Sequence, residues 1–147
     1  MNPVSLESEV ELIRQVPILC NLELAAQKML CFVSERCVHE PGQSVIREGE
    51  RADATYIIID GSAEVNVGEP DCSLTIDTLD RHNLIGETGI LSDSPHAVTV
   101  VAKTRLETLR VPTDVFRKII SSCPDAAVQL SRLLIRHFAS ITAKLGR

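Results

Sequence analysis

Residues 86–99 read Gly86-Glu87-Thr88-Gly89-Ile90-Leu91-Ser92-Asp93-Ser94-Pro95-His96-Ala97-Val98-Thr99, and their reading decides the fold. A glycine and a carboxylate precede a short apolar turn, a polar loop, a proline and a β-branched run. Gly86 and Gly89 lack a Cβ, so a bound group can approach their backbone closely. Turns that aim successive N–H groups inward hold anions without side-chain charge. A helical turn starting near Thr88 adds the positive end of its dipole. The stretch is a compact anion cradle leading into a strand.

The order of these residues resembles the phosphate-binding cassette of the cyclic nucleotide-binding domain family. The family pattern runs Gly-Glu, apolar residues, a short loop, Pro-Arg, small residues, then Thr or Ser. Gly86, Glu87, Pro95, Ala97 and Thr99 keep that order here. The resemblance implies that Glu87 holds a ribose hydroxyl, while Gly86, Thr88, Gly89, Pro95, Ala97 and Val98 shape the phosphate cradle. His96 stands where the family arginine closes on phosphate with two parallel hydrogen bonds. An imidazole is shorter, lacks the fork and is mostly neutral at pH 7. A charged hydrogen bond is worth roughly 1.5–3 kcal/mol. Its loss weakens binding by about 10- to 100-fold or more. Val98 replaces a small alanine. Upstream, His82 takes a glycine place, Asn83 an acidic place and Ile85 an aromatic place; Asn83 keeps turn chemistry.

The 147 residues suffice for one core and are too few for two ordinary domains. A hydrophobic content of 44% argues against disorder, and no run of about 18 apolar residues suggests a membrane span. The first residues lack the basic-then-apolar form of a secretory signal, so the expected location is cytoplasmic. A net charge of −5 disfavours nucleic-acid binding by this chain alone. From Ala126 to Arg147 there is no acidic residue, but Arg132, Arg136, Lys144 and Arg147 are present. Cations favour a helix C-terminus; a junction or partner surface is the sharper reading. Cys20, Cys31, Cys37, Cys72 and Cys123 form no Cys-x-x-Cys, and the histidines add no metal spacing. Reduced, buried thiols are expected, with no cofactor or metal.

The periodicities predict an α+β, mainly β fold: a single domain, 1–147, with helices at about 8–34, an antiparallel, jelly-roll-like β-roll at about 37–111, and C-terminal helices at about 113–145. Ser8-Glu9-Val10-Glu11 has the form of a capping box, and Asn21 is placed to cap a second helix with Leu22, Ala25, Ala26, Met29 and Leu30 on one face. Short strands follow around 37–39, 44–46, 56–67, 74–76, 97–102 and 106–111, with Asp60-Gly61 read as a hairpin turn. Pro112-Thr113-Asp114 starts a short helix and Pro124 a final one. The final stripe Leu130, Leu134, Phe138, Ile141, Leu145 steps at near-heptad spacing, which predicts a homodimer helix.

The resemblance covers about residues 8 to 145. No helix-turn-helix follows before Arg147, so the chain is either a stand-alone regulator or a piece of a larger one. The expected function is a regulatory sensor, not an enzyme, that binds cyclic AMP or cyclic GMP weakly because His96 replaces arginine. The alternative is a ligand-independent protein-interaction and dimerisation module on the same fold. Glu87 and His96 alone, with no nucleophile or metal, make weak catalytic equipment.

Overall fold

The computed structural model describes residues 6–68, 70–87, 92 and 94–145. The first helix, α1 (Leu6–Arg14), buries Val10 and Ile13. It begins ahead of Ser8, so the Ser8–Glu11 pattern lies inside it and does not cap it. α2 (Leu24–Val33) starts after Glu23, with no side-chain cap. Asn21 instead donates through Nδ2 to Asp125 Oδ2 at 2.7 Å, tying the chain before α2 to the start of the last helix. The buried face of α2 keeps Leu30, and Ala26 packs on the core, but the face differs in part from the expected one. Met29 and Ala25 are exposed, whereas Gln27, Leu30 and Cys31 are buried. The Gln27 amide donates to the Leu19 carbonyl (3.2 Å) and accepts from Arg14 Nε (3.2 Å). A polar residue therefore faces inward because it satisfies backbone that α1 and α2 leave between them.

Eight strands follow: β1 (Glu35–His39), β2 (Ser44–Ile46), β3 (Ala54–Asp60), β4 (Ala63–Val67), β5 (Leu74–Leu79), β6 (Leu84–Ile85), β7 (Thr99–Ala102) and β8 (Leu106–Pro112). They form two four-stranded sheets, ordered β1-β8-β3-β6 and β2-β7-β4-β5, with every neighbouring pair antiparallel. β3 and β4 belong to different sheets, so Asp60-Gly61 is a corner and the expected hairpin does not exist. Gly61 has φ +97°, and the chain leaves it towards the β7–β8 turn. There the Ser62 carbonyl accepts from the Lys103 and Thr104 N–H groups, and the Ser62 N–H donates to Thr104 Oγ1 at 3.1 Å. Those bonds compete with a two-residue hairpin and win. β7 begins at Thr99, two residues later than expected, because residues 95–98 follow the cradle and not the sheet.

Between the sheets lies an apolar core that includes Ile58, Val65, Ile85, Val100 and Leu106. A second core joins the outer face of the first sheet to the helices through Ile57, Ile59, Leu109 and Val111. Successive strand residues point to opposite faces, so the run Ile57-Ile58-Ile59 feeds both cores. α3 (Thr113–Ser121) contributes Phe116, Ile119 and Ile120 to the second core. α4 (Pro124–Leu145) contributes Ala126 and Leu130. Leu130, with no exposed surface, belongs to the chain's own core and is withdrawn from the expected dimer stripe. The thiols also depart from expectation: Cys31 is buried, but Cys20 and Cys72 are exposed, and all five are free. Among the described residues no helix is long and apolar enough to cross a membrane.

A Cβ on Gly61 would run into the Arg105 carbonyl oxygen, whereas one on Gly42 (φ +90°) would meet nothing. Gly42→Ala then reports backbone strain alone, and Gly61→Ala adds the clash. In urea unfolding, Gly61→Ala is expected to cost more than the roughly 1 kcal/mol typical of an incompatible φ, and more than Gly42→Ala; equal costs would show that the corner yields easily.

Candidate functional site

A cavity of about 460 Å³ opens between the second sheet, residues 85–87 and 94–98, and α4. Its floor is apolar and comes from Ile46, Val65, Ile76, Leu79 and Val100. Its wall carries Ile85, Gly86 and Glu87 together with Pro95, His96, Ala97 and Val98. Leu134, Ile135 and Phe138 of α4 face its mouth, where Ile135 (69%) and Phe138 (70%) are largely exposed. An apolar cavity with a few convergent polar groups is the form of a small-molecule site.

The structure brings Gly86, Glu87, Pro95, His96, Ala97 and Val98 to this one cavity. Thr88 and Gly89 lie outside the described residues, as do the side chains of Ile141 and Leu145. Leu134 and Phe138, expected at a dimer seam, also line the cavity. Sequence reasoning missed Ile135 and Asp77, which also line it. Ile135 sits off the heptad stripe, and Asp77 is one alternating residue of an ordinary strand, so neither carried a local signal.

His96 is held by its backbone. Its N–H donates to the Glu50 carbonyl at 2.9 Å, and its carbonyl accepts the Gly49 N–H at 2.8 Å. The cradle is thus hydrogen-bonded to the β2–β3 loop. Gly86 has φ +82°, and a Cβ there would lie 3.2 Å from both the Ala54 carbonyl oxygen and His96 Cε1. The imidazole therefore packs on bare glycine backbone, and only glycine leaves room for it.

That packing sets the electrostatics. His96 is 5% exposed, and among the described residues its buried Nδ1 has no hydrogen-bond partner. Burial pushes its pKa below the ordinary histidine range, outweighing the opposite pull of Glu50, Asp53 and Glu87. The group is neutral at pH 7. The charged residues on the described lining are Asp77 and Glu87, both acidic. Glu87 is itself buried. The cavity therefore offers hydroxyl-accepting carboxylate chemistry and an apolar floor, without a fixed cation on its described wall.

The cyclic nucleotide-binding domain family matches residues 36–123. The cAMP-dependent protein kinase regulatory subunit of Yarrowia lipolytica is 36% identical over 114 residues, which are 77% of this chain and 30% of that protein. The protein of the same description from Mucor circinelloides f. lusitanicus is 32% identical over 111 residues, covering 76% of this chain and 26% of the relative. The chain thus spans under a third of the length of these curated relatives. Among solved structures, the regulatory subunit of a cAMP-independent protein kinase A from Trypanosoma cruzi, bound to guanosine, superposes with a TM-score of 0.75. It is 24% identical and covers 84% of this chain and 44% of its own, which establishes the shared fold. The matching family model, the curated relatives and the β-roll with its flanking helices agree: the chain belongs to the cyclic nucleotide-binding domain family.

Proposed function

We propose that this domain is a non-enzymatic regulatory sensor whose 460 Å³ cavity binds cyclic nucleotides only weakly at neutral pH. One observation carries the reading: the imidazole at the phosphate position is buried, uncharged and packed on Gly86. A cyclic nucleotide brings one negative charge, and burying it opposite Asp77 and Glu87 without a cation is costly. A second reading rests on the same charge balance. An uncharged nucleoside keeps the ribose hydroxyls for Glu87 and the base for the apolar floor and α4, and leaves out the charge; the T. cruzi neighbour is described with guanosine bound.

Calorimetric titration with cyclic AMP, cyclic GMP, adenosine and guanosine separates these readings. For cyclic AMP, bound anion raises the His96 pKa, so binding takes up a proton. Affinity is then expected to rise as pH falls from 7.5 to 5.5, by at most about tenfold per pH unit. His96→Arg restores charge and fork and is expected to tighten binding by tenfold or more. Val98→Ala added to it removes crowding near the phosphate. Tight, pH-independent cyclic AMP binding by the natural protein would overturn the weak-binding reading. Failure of all four ligands, in both proteins, would leave a ligand-independent interaction module.

Stability has its own pH dependence. His39, like His96, has its pKa lowered by burial. In the unfolded chain both take up protons near pH 6.5, while in the folded chain they resist until lower pH. Their contribution is complete above about pH 6.5 and is lost as pH falls below it. Thermal unfolding midpoints are expected to drop between pH 7 and 5, and to drop less in His96→Gln; an identical drop would assign the effect to other groups.

We also propose that any homodimer uses the distal part of α4, where Ile135 and Phe138 are exposed, and not Leu130. Phe138→Glu should then abolish self-association in sedimentation equilibrium while leaving the unfolding midpoint within about 1 °C, because an exposed surface site changes stability little. A natural protein that stays monomeric at millimolar concentration would dismiss the dimer.

A further inference from the structure

A second cavity, of about 370 Å³, lies on the other side of α4. It is bounded by residues 16–18 before α2, by the β5–β6 turn and by the outer face of α4. Arg132 and Arg136 line it, one helical turn apart. Like charges at this spacing repel each other, and among the described residues neither forms an ion pair. Two of the four cations of the acid-free segment, Arg132 and Arg136, thus line one concavity while remaining exposed.

Other polar side chains share the lining with the two arginines. His82 and Asn83 line the cavity from the β5–β6 turn, and Gln129 from α4. The turn is fixed. The His82 N–H donates to the Ile58 carbonyl (2.9 Å), the Ile58 N–H to the Asn83 carbonyl (3.0 Å), and the Asp80 N–H to Asn83 Oδ1 (2.8 Å). With Oδ1 accepting from Asp80, the Asn83 side chain keeps its NH₂ as a donor. The other walls are apolar and include Val16, Pro17, Leu84 and Leu133.

We propose that this cavity binds a phosphate monoester with an apolar substituent. Two adjacent guanidinium forks and nearby amide donors suit three phosphoryl oxygens carrying nearly two charges, better than the two oxygens of a singly charged carboxylate. The apolar wall takes the carbon part of the ester. The ester has two candidate sources, a small organic phosphate and a phosphorylated side chain of a peptide.

The test uses phenyl phosphate and a phosphoserine hexapeptide, followed by heteronuclear NMR of the natural chain. Expected are shifts of the Asn83 side-chain amide and of the Arg132 and Arg136 Nε signals. Phenyl phosphate should bind at least tenfold more tightly than inorganic phosphate if the small molecule is the source, and the hexapeptide more tightly still if a peptide is. Arg132→Gln with Arg136→Gln should lose at least tenfold for the better probe, with an unchanged unfolding midpoint. Arg132→Lys with Arg136→Lys should fall between. His96→Arg should leave this binding alone, which separates it from the cyclic nucleotide cavity. Equal binding by the double Gln variant, shifts confined to residues 95–98, or binding only to anionic lipid vesicles would overturn the proposal.

Discussion

The fold depends on β3 being buried on both faces. Ile58 points between the sheets, while Ile57 and Ile59 point to the helices. β3 also pairs with β8 on one side and β6 on the other. Fully burying an isoleucine side chain is worth roughly 1.5–3 kcal/mol, and these three draw on both cores at once. The helices therefore do not hang on the roll by a linker. They share a strand with it, and the second core extends unbroken from Ile57 and Ile59 to Phe116 and Leu130.

A second constraint joins the cavity to those helices through backbone hydrogen bonds. His96 is bonded to Gly49 and Glu50 of the β2–β3 loop. Three residues on, the Asp53 carbonyl accepts the Thr113 N–H at 2.9 Å, and the Ala52 carbonyl accepts Thr113 Oγ1 at 2.9 Å. Thr113 is the first residue of α3, and α3 packs on α4. A short path of hydrogen bonds and loop backbone thus runs from His96 to α3, which packs on the helix at the cavity mouth. The His96 ring at the start of that path packs against Gly86.

The sequence made some of this legible and hid the rest for physical reasons. Local signals were reliable where local chemistry decides: the start of α3 after Pro112 and the short strand expected at 44–46. They failed where a partner distant in sequence decides. Asp60-Gly61 looks like a hairpin turn, but Ser62 finds its hydrogen bonds 41 and 42 residues away, at Lys103 and Thr104. Asn21 looks like a cap, but its amide meets Asp125. The Leu130, Leu134, Phe138 stripe looks like a seam, yet a helix lying across its own roll and cavity shows the same period. The cassette was legible as a pattern, but nothing local could show that its imidazole would be buried, because Gly86 and the β2–β3 loop enclose it from elsewhere.

α4 carries two unlike faces between two unlike cavities. Leu134, Ile135 and Phe138 meet an apolar space whose charged lining is acidic. Gln129, Arg132 and Arg136 meet a basic one. These residues lie about half a turn apart on a helix of 3.6 residues per turn. One end of the helix is fixed, since Leu130 is buried in the core and Asp125 is bonded to Asn21. The wall beyond that anchor belongs to both cavities, so a displacement that improves contact on one side alters the other. Coupling between two such sites is reciprocal, and its size is limited by how differently each ligand contacts the two positions of the helix. A ligand in either cavity would therefore contact the same helix beyond the same pinned end.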